Sequence, residues 1–263
     1  MEEKIAIIGC GNLGKSIADG LLQGNFLSPS SLTLTKRNTD SLQRYADQGV
    51  QVTSDNKSAI TDATLIILAL KPYNVLQVLE SITPVLKSNQ LIVCLATGVE
   101  LKDLHATANR EVGIYRAMPN TATHVQKSIT AICTQNHQEE ELNRVKRMFE
   151  TLGSVLHVDE ELMAAVTVLG ACGIAYVMRF IRAMVQGGIQ IGFSAEMAST
   201  IVKHTVNGAS ELLLQGDTHP ETEIDKVTTP KGCTIVGLNE MEHNGFSSAL
   251  IRGIVKSFEA LDK

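Results

Sequence analysis

The chain has 263 residues, 23 Lys and Arg against 28 Asp and Glu, and a formal net charge of −5. That length holds one large domain or two smaller ones with an ample core, and a negative balance without a long basic run argues against a nucleic-acid partner. The five cysteines, Cys10, Cys94, Cys133, Cys172 and Cys233, are odd in number, far apart and without a C-x-x-C pair, which argues against a disulfide framework or a zinc site. The first strand pattern opens at Lys4, leaving no room for a signal or transit peptide, so a reducing, cytoplasmic location is expected.

The chain opens on Lys4-Ile5-Ala6-Ile7-Ile8-Gly9-Cys10-Gly11-Asn12-Leu13-Gly14, an apolar strand pattern running into G-x-G-x-x-G, with an amphipathic helix pattern over 15–23. A dinucleotide-binding turn needs that context. Gly9 permits the tight turn, Gly11 lets the backbone approach a pyrophosphate, and Gly14 lets helix and strand pack closely. The amides at the helix N-terminus then face the phosphates. Residues 32–35 read as a second strand and 39–48 as a helix. Residues 64–70 form a continuous apolar run, as in a parallel strand covered on both faces. A helix over 73–86, a strand over 90–95 and further elements over 100–108, 112–116 and 128–134 continue the alternation, which a helix over 139–152 and a strand over 154–158 close. This pattern predicts an α/β fold with a Rossmann-type, doubly wound and mostly parallel sheet over residues 1–159.

Near Asp159 the texture changes to small residues and methionines at helical spacing, predicting an all-α domain over 160–263. Asp159 is placed to cap a helix from about Glu160, and Ser194 another through Glu211, with Met197 entering the core. Pro220 and Pro230 punctuate loops, and 246–261 is a final amphipathic helix. The uncharged run 162–178 falls just short of the roughly 20 residues that span a bilayer. Gly170 and Gly173 interrupt it, so a helix buried in protein is expected rather than a membrane span. Helices with so much small and apolar surface predict an obligate homodimer.

Enzymes that prefer NAD place an acid about 20 residues past the glycines. Here the second strand ends Thr35-Lys36-Arg37-Asn38, with no carboxylate until Asp40. Lys36 and Arg37 suit a ribose 2′-phosphate, so NADP is expected, NADPH in preference to NADH; a solvated basic pair at a turn is the competing account. Two loops, Ala69-Leu70-Lys71-Pro72 and Ala96-Thr97-Gly98, follow strands at the edge where such sheets bind ligands, and Arg116-Ala117-Met118-Pro119-Asn120-Thr121 follows a third. Pro72 and Pro119 would fix these loops so that backbone groups hold a nicotinamide, although each alone is also ordinary turn chemistry. A last candidate, Val227-Thr228-Thr229-Pro230-Lys231-Gly232-Cys233-Thr234-Ile235, precedes a helix from about Cys233 to His243. Free amides there can receive a small carboxylate, with Lys231 as added positive charge and the Thr234 hydroxyl as a donor; an ordinary helix cap competes with this reading. The seven histidines are scattered, and none is well placed as a general acid.

Taken together, residues 7–14, Ala69-Leu70-Lys71-Pro72, Arg116-Ala117-Met118-Pro119-Asn120-Thr121, Gly173-Ile174-Ala175-Tyr176 and Thr229-Pro230-Lys231-Gly232-Cys233-Thr234-Ile235 resemble the pyrroline-5-carboxylate reductase family over nearly the whole chain. The resemblance implies reduction of 1-pyrroline-5-carboxylate, an imino acid, to L-proline by NAD(P)H, the last step of proline biosynthesis. It also implies an intertwined homodimer through the helical domain, which several members build into decamers. The cofactor contacts so implied are Gly9, Gly11, Asn12, Leu13 and Gly14, then Lys36, Arg37 and Asn56, then Ala69, Leu70, Lys71, Pro72, Ala96 and Thr97. On the substrate side stand Thr229, Lys231, Gly232, Cys233 and Thr234. The amides of Gly232, Cys233 and Thr234 are assigned to the carboxylate, and the Thr234 hydroxyl to the imine nitrogen as the catalytic donor.

The departures are specific. The family usually reads Gly-Ser-Gly-Pro-Ala-Tyr where this chain has Gly170-Ala171-Cys172-Gly173-Ile174-Ala175-Tyr176, and Ser-Pro-Gly-Gly where it has Thr229-Pro230-Lys231-Gly232. Ala122 stands where a proline is common. If the Lys231 position needs positive φ, a lysine is strained there. Two rivals remain: an NADP-dependent hydroxyacid dehydrogenase, for which Lys203 is the candidate base, and a non-catalytic nucleotide sensor on the same fold.

Overall fold

The computed structural model describes residues 3–108, 111–135 and 138–261, and the chain divides into two compact units, Met1–Cys172 and Gly173–Lys263. In the first, β1 (Ile5–Ile8), β2 (Leu32–Thr35), β3 (Gln51–Thr53), β4 (Leu65–Leu68), β5 (Leu91–Cys94), β6 (Gly113–Met118), β7 (Ser128–Cys133) and β8 (Gly153–His157) form one sheet ordered β3-β2-β1-β4-β5-β6-β7-β8. Helices α1 (Asn12–Gln23), α2 (Gln43–Ala46), α3 (Asn56–Ile60), α4 (Pro72–Ile82), α5 (Leu101–Ala108) and α6 (Glu139–Glu150) complete it.

β1, β4 and β5 are buried at every position, as their unbroken aliphatic runs require of strands covered on both faces. Alternate residues divide between two cores. Ile5, Ile7, Leu65 and Ile67 pack with Ile17, Leu21 and Phe149, while Ala6, Ile8, Ile66 and Leu68 pack with Val75, Leu79 and Leu104. The chain winds outward from β1 to β3, then returns to lay β4 on the other side of β1. That reversal opens a crevice at the carboxyl ends of β1 and β4, the place where such sheets bind ligands.

Several elements differ from the sequence expectation for identifiable reasons. Residues 39–48 form a 3₁₀ turn, Asp40–Leu42, followed by the short α2; the Asn38 side chain accepts the Asp40 N–H (2.8 Å) and Gly49 at φ +90° ends the run. β3 and α3 fall outside the predicted alternation, being three and five residues long, too short to carry a periodic signal. Residues 128–134 do supply a strand, but β7 runs antiparallel to β6. The link between them is only the 3₁₀ turn Thr121–Val125 with Gln126 at φ +57°, and a parallel crossover needs a dozen residues or more.

The first unit also runs past Asp159. Asp159 stands before a 3₁₀ turn, Glu160–Leu162, without a side-chain cap bond; α7 (Met163–Val166), a π-helical segment Thr167–Cys172 and α8 (Gly173–Gln190) follow. Glu160 accepts from Arg116 Nη1 and from the Leu101 N–H, both at 2.7 Å, and Met163 belongs to one of the two sheet cores. The change of texture at Asp159 marks where a helix starts, while contacts keep its first turns with the sheet.

The second unit consists of α8 with α9 (Ala195–Gln215), α10 (Pro220–Lys226), α11 (Cys233–His243) and α12 (Phe246–Glu259). Ser194 caps α9, its Oγ accepting the Met197 N–H (3.3 Å). Met197 itself is 56% exposed, contrary to expectation, and Ala198 is buried instead. α8 and α9 approach so closely at Gly188 that a Cβ there would lie 3.0 Å from Ala198 Cβ, a contact that admits only small residues. Val177, Met178, Ile201, Leu212, Ile251 and Val255 are exposed on the single chain. By length and composition alone, the helical stretch Glu160–Gln190 is apolar enough to cross a bilayer.

Candidate active site

The glycine turn after β1 separates into two parts filled by protein and one that is open. Gly9 has φ +85°, and a Cβ there would lie 2.3 Å from Leu70 Cδ2 and 2.9 Å from Ala69 O. At Gly14 a Cβ would meet Ile7 Cγ2 at 3.3 Å and Ala69 Cβ at 3.4 Å. At Gly11 the nearest atom is Gly9 O at 4.0 Å, so nothing in this chain occupies the space that glycine keeps clear. The amides of Asn12, Leu13 and Gly14 form the first turn of α1, where no intrahelical acceptor exists, and that turn carries no acid. An open backbone face beside a positive helix end fits a pyrophosphate. Cys10, inside the turn, is fully buried; burial pushes its thiol up to about 12, so it adds no negative charge at neutral pH.

A hydrogen-bond relay ties this turn to the end of β2. The Gly9 and Cys10 amides donate to Thr35 O (3.2 and 2.8 Å). The buried Thr35 hydroxyl donates to Asn56 Oδ1 (2.7 Å) and accepts the Gly9 N–H (3.3 Å), which sets Asn56 beside the glycine turn. Lys36 directs Nζ to Ser41 Oγ (2.7 Å) and Arg37 is exposed. Among the described residues neither forms a salt bridge, so both charges are available to an anion.

The two predicted loops lie at the same edge. The Ala69 N–H donates to Ile8 O (2.9 Å), Leu70 packs over Gly9, and Lys71 and Pro72 are exposed at the start of α4. Ala96 is buried, Thr97 half-buried, and Gly98 has φ +74°. Beyond β6, Pro119 and Asn120 are buried. Ser16 on α1 donates to Thr121 O (3.1 Å) and pairs with the buried Thr123 hydroxyl (2.6 Å). Ser16, Thr35 and Thr123 escaped sequence reading; each is a small hydroxyl residue whose partner lies at least 21 positions away.

In the second unit, residues 229–232 form a turn closed by the Gly232 N–H donating to Thr229 O (2.9 Å). Pro230 precedes Lys231, which stands at φ +61°; the strain foreseen for a lysine at this position is present, and costs about 1–2 kcal/mol. A Cβ on Gly232 would strike Thr229 Oγ1 at 2.6 Å, so Gly232 is required. The Gly232 amide is engaged within this turn, whereas the Cys233 and Thr234 amides open α11 without intrahelical acceptors. α11 has no side-chain cap and no acid in its first turn. Lys231 and Cys233 are exposed and Thr234 is half-buried. Lys203, the base a hydroxyacid dehydrogenase would need, is exposed on α9.

A doubly wound sheet whose glycine turn leaves room for a pyrophosphate, followed in one chain by an all-helical unit, is the architecture of nicotinamide-dinucleotide oxidoreductases. Residues 160–263 match the family model described as pyrroline-5-carboxylate reductase dimerisation, and residues 4–98 the model described as NADP oxidoreductase coenzyme F420-dependent. The chain is 38% identical to pyrroline-5-carboxylate reductase 2 of Dictyostelium discoideum, covering 99% of this chain and 93% of that protein. It is 40% identical to pyrroline-5-carboxylate reductase 1 of the same organism over 96% of its own length, and spans 48% of that longer protein. The NADP-bound pyrroline carboxylate reductase of Plasmodium falciparum is similar with a TM-score of 0.90 at 25% identity, covering 99% of this chain and 98% of that one. The chain belongs to the pyrroline-5-carboxylate reductase family.

Two outcomes test this geometry. Gly11→Ala is expected to keep the fold yet weaken NADPH binding by about 10-fold or more, whereas Gly9→Ala should destabilise by about 2–3 kcal/mol. Urea midpoints set beside NADPH titrations separate the two, and wild-type affinity in Gly11→Ala would remove the cradle. Lys231→Gly, relieving a left-handed lysine, is expected to raise the unfolding free energy by about 0.5–1 kcal/mol; a lower urea midpoint would show that the lysine side chain offsets its own strain.

Proposed function

We propose that this chain reduces 1-pyrroline-5-carboxylate to L-proline with NADPH, the final step of proline biosynthesis, and that Thr234 serves the reacting nitrogen. The observation that carries the reading is the α11 N-terminus, where two amides without intrahelical acceptors, an adjacent cation and a hydroxyl converge within four residues of a family member's chain. The substrate carboxylate is received by the Cys233 and Thr234 amides, favoured by the helix dipole and the Lys231 charge. NADPH, when bound, supplies the hydride for the imine carbon. The Thr234 hydroxyl donates a hydrogen bond to the ring nitrogen; far too weak an acid to act alone, it orients the ring or relays a proton from water. Most of the acceleration therefore comes from positioning. Lys36 and Arg37 hold the ribose 2′-phosphate, which favours NADPH over NADH.

The working unit is a homodimer formed through residues 160–263, which the match to a dimerisation model and the exposed apolar side chains on α8, α9 and α12 support. The stretch Glu160–Gln190 serves that interface rather than a bilayer, a reading its Gly170 and Gly173 and the match to the dimerisation model favour. Higher assembly into decamers and a cytoplasmic location complete the proposal; unpaired thiols at all five cysteines fit a reducing compartment.

Thr234→Val should lower kcat by about 10²-fold with NADPH affinity nearly unchanged, measured by NADPH absorbance with the imino acid; retained turnover would remove the role. Replacing Lys36 and Arg37 together with alanine should raise KM for NADPH by about 10-fold or more and that for NADH far less. Equal effects on the two carriers would refute the 2′-phosphate contact.

A further inference from the structure

Beyond β6 the chain passes from the sheet edge into a loop that holds a buried amide side chain, Asn120. It is 6% exposed and bonded on every side. Its Oδ1 accepts the Ala122 N–H (2.9 Å), its own N–H donates to Ser128 Oγ (3.1 Å), and its Nδ2 donates to Gly170 O (3.0 Å). The network decides the orientation of the amide, since an N–H needs an acceptor at one end and a carbonyl needs a donor at the other.

Gly170 lies in the π-helical segment Thr167–Cys172. A π turn displaces carbonyls from their usual i+4 partners, and such segments recur at functional sites. Here one of those carbonyls is answered by a residue from the sheet's carboxyl edge. The register pairing Cys94 with Arg116 brings the chain beyond β6 alongside Ala96 and Thr97, and Ala96 and Met118 share one core. On its far side the loop is held to α1 through Ser16, Thr121 and Thr123. The loop is thus braced on the cofactor-binding helix by hydroxyls and on the π turn by Asn120.

We infer that Asn120 is a positioning residue for the reduction: its donor to Gly170 O locks the loop after β6 to the π turn, holding the loop's backbone in place at the carboxyl edge of the sheet, where the cofactor's nicotinamide would lie. The inference rests on the reductase reading above. A misplacement of about 1 Å at a reacting centre costs on the order of 10²-fold in rate, so loosening this one bond should show in turnover rather than in cofactor affinity.

Asn120→Asp in the full-length protein keeps the acceptor for the Ala122 N–H and removes the donor to Gly170 O. At neutral pH its kcat should fall about 10-fold or more, with the Kd for NADPH within about 2-fold of wild type. Relative to wild type at the same pH, kcat should recover as pH falls, because a protonated carboxyl regains an O–H donor and burial raises its pKa. Asn120→Ala should lose turnover without acid recovery. Hydrogen exchange of residues 118–122 and 167–172 reads the same bond without turnover and should accelerate in both variants. Wild-type kcat in Asn120→Asp, or a parallel loss of turnover and NADPH affinity with no acid recovery, would overturn the positioning role. Unchanged exchange in both segments would overturn the lock itself. A folded wild type that binds NADPH but does not reduce the imino acid would overturn the reductase reading, with exchange still deciding the lock.

Discussion

The closeness of β1 to the chain leaving β4 governs the whole ligand edge of the sheet. At Gly9 the backbone takes φ +85° with Leu70 Cδ2 lying where a Cβ would be, and the Ala69 N–H bonds to Ile8 O beside it. Any side chain at Gly9 would both clash and require an unfavourable left-handed conformation. Because that contact is tight, α1 can begin immediately above it, with Gly14 pressed on Ile7 and Ala69. Gly11 then faces outward with its space unfilled. The cradle is a by-product of two tight contacts and one deliberate gap.

The two ends of the chain reach similar electrostatics by different means. α1 and α11 each begin without a side-chain cap and without an acid in the first turn, so their orphan amides carry the positive end of the helix dipole. Each is preceded by a residue at positive φ, Gly9 before α1 and Lys231 before α11. Glycine adopts that conformation without penalty. Lysine does not, and a strained residue persists only where its surroundings hold it. Here the turn is closed by the Gly232 amide and carries Pro230 just before Lys231, which holds a cation two residues before the first turn of α11.

What sequence alone made legible follows from range. The apolar runs at 64–70 and 90–95, the glycine spacing at 9, 11 and 14, and the turn before α11 are local patterns; the runs hold the shorter β4 and β5, and the glycines and the turn lead into α1 and α11 as expected. Patterns of less than two full periods were lost, as with β3 and α3. So was strand direction at β7, which depends on a link too short for a helix. The side chains that hold the site together, Ser16 to Thr123, Thr35 to Asn56 and Asn120 to Gly170, are bonded across 107, 21 and 50 positions. Hydrogen bonds of that range leave no periodic trace.

The unit boundary shows the same limit in energetic form. Arg116 and Glu160 are 44 positions apart, and their side chains are 8% and 24% exposed. A charge so buried is costly without its partner, and removing one member of such a pair typically destabilises by about 3–5 kcal/mol. Division at Asp159 would leave Arg116 beside the ends of β5 and β7 with no carboxylate, strip the Leu101 amide of its acceptor, and open the core where Met163 sits. Division at Cys172 keeps the Arg116–Glu160 pair, the acceptor of the Leu101 amide and Met163 together with the sheet. Composition changes where the helices begin, but the sheet keeps the first turns it needs to neutralise its own buried arginine.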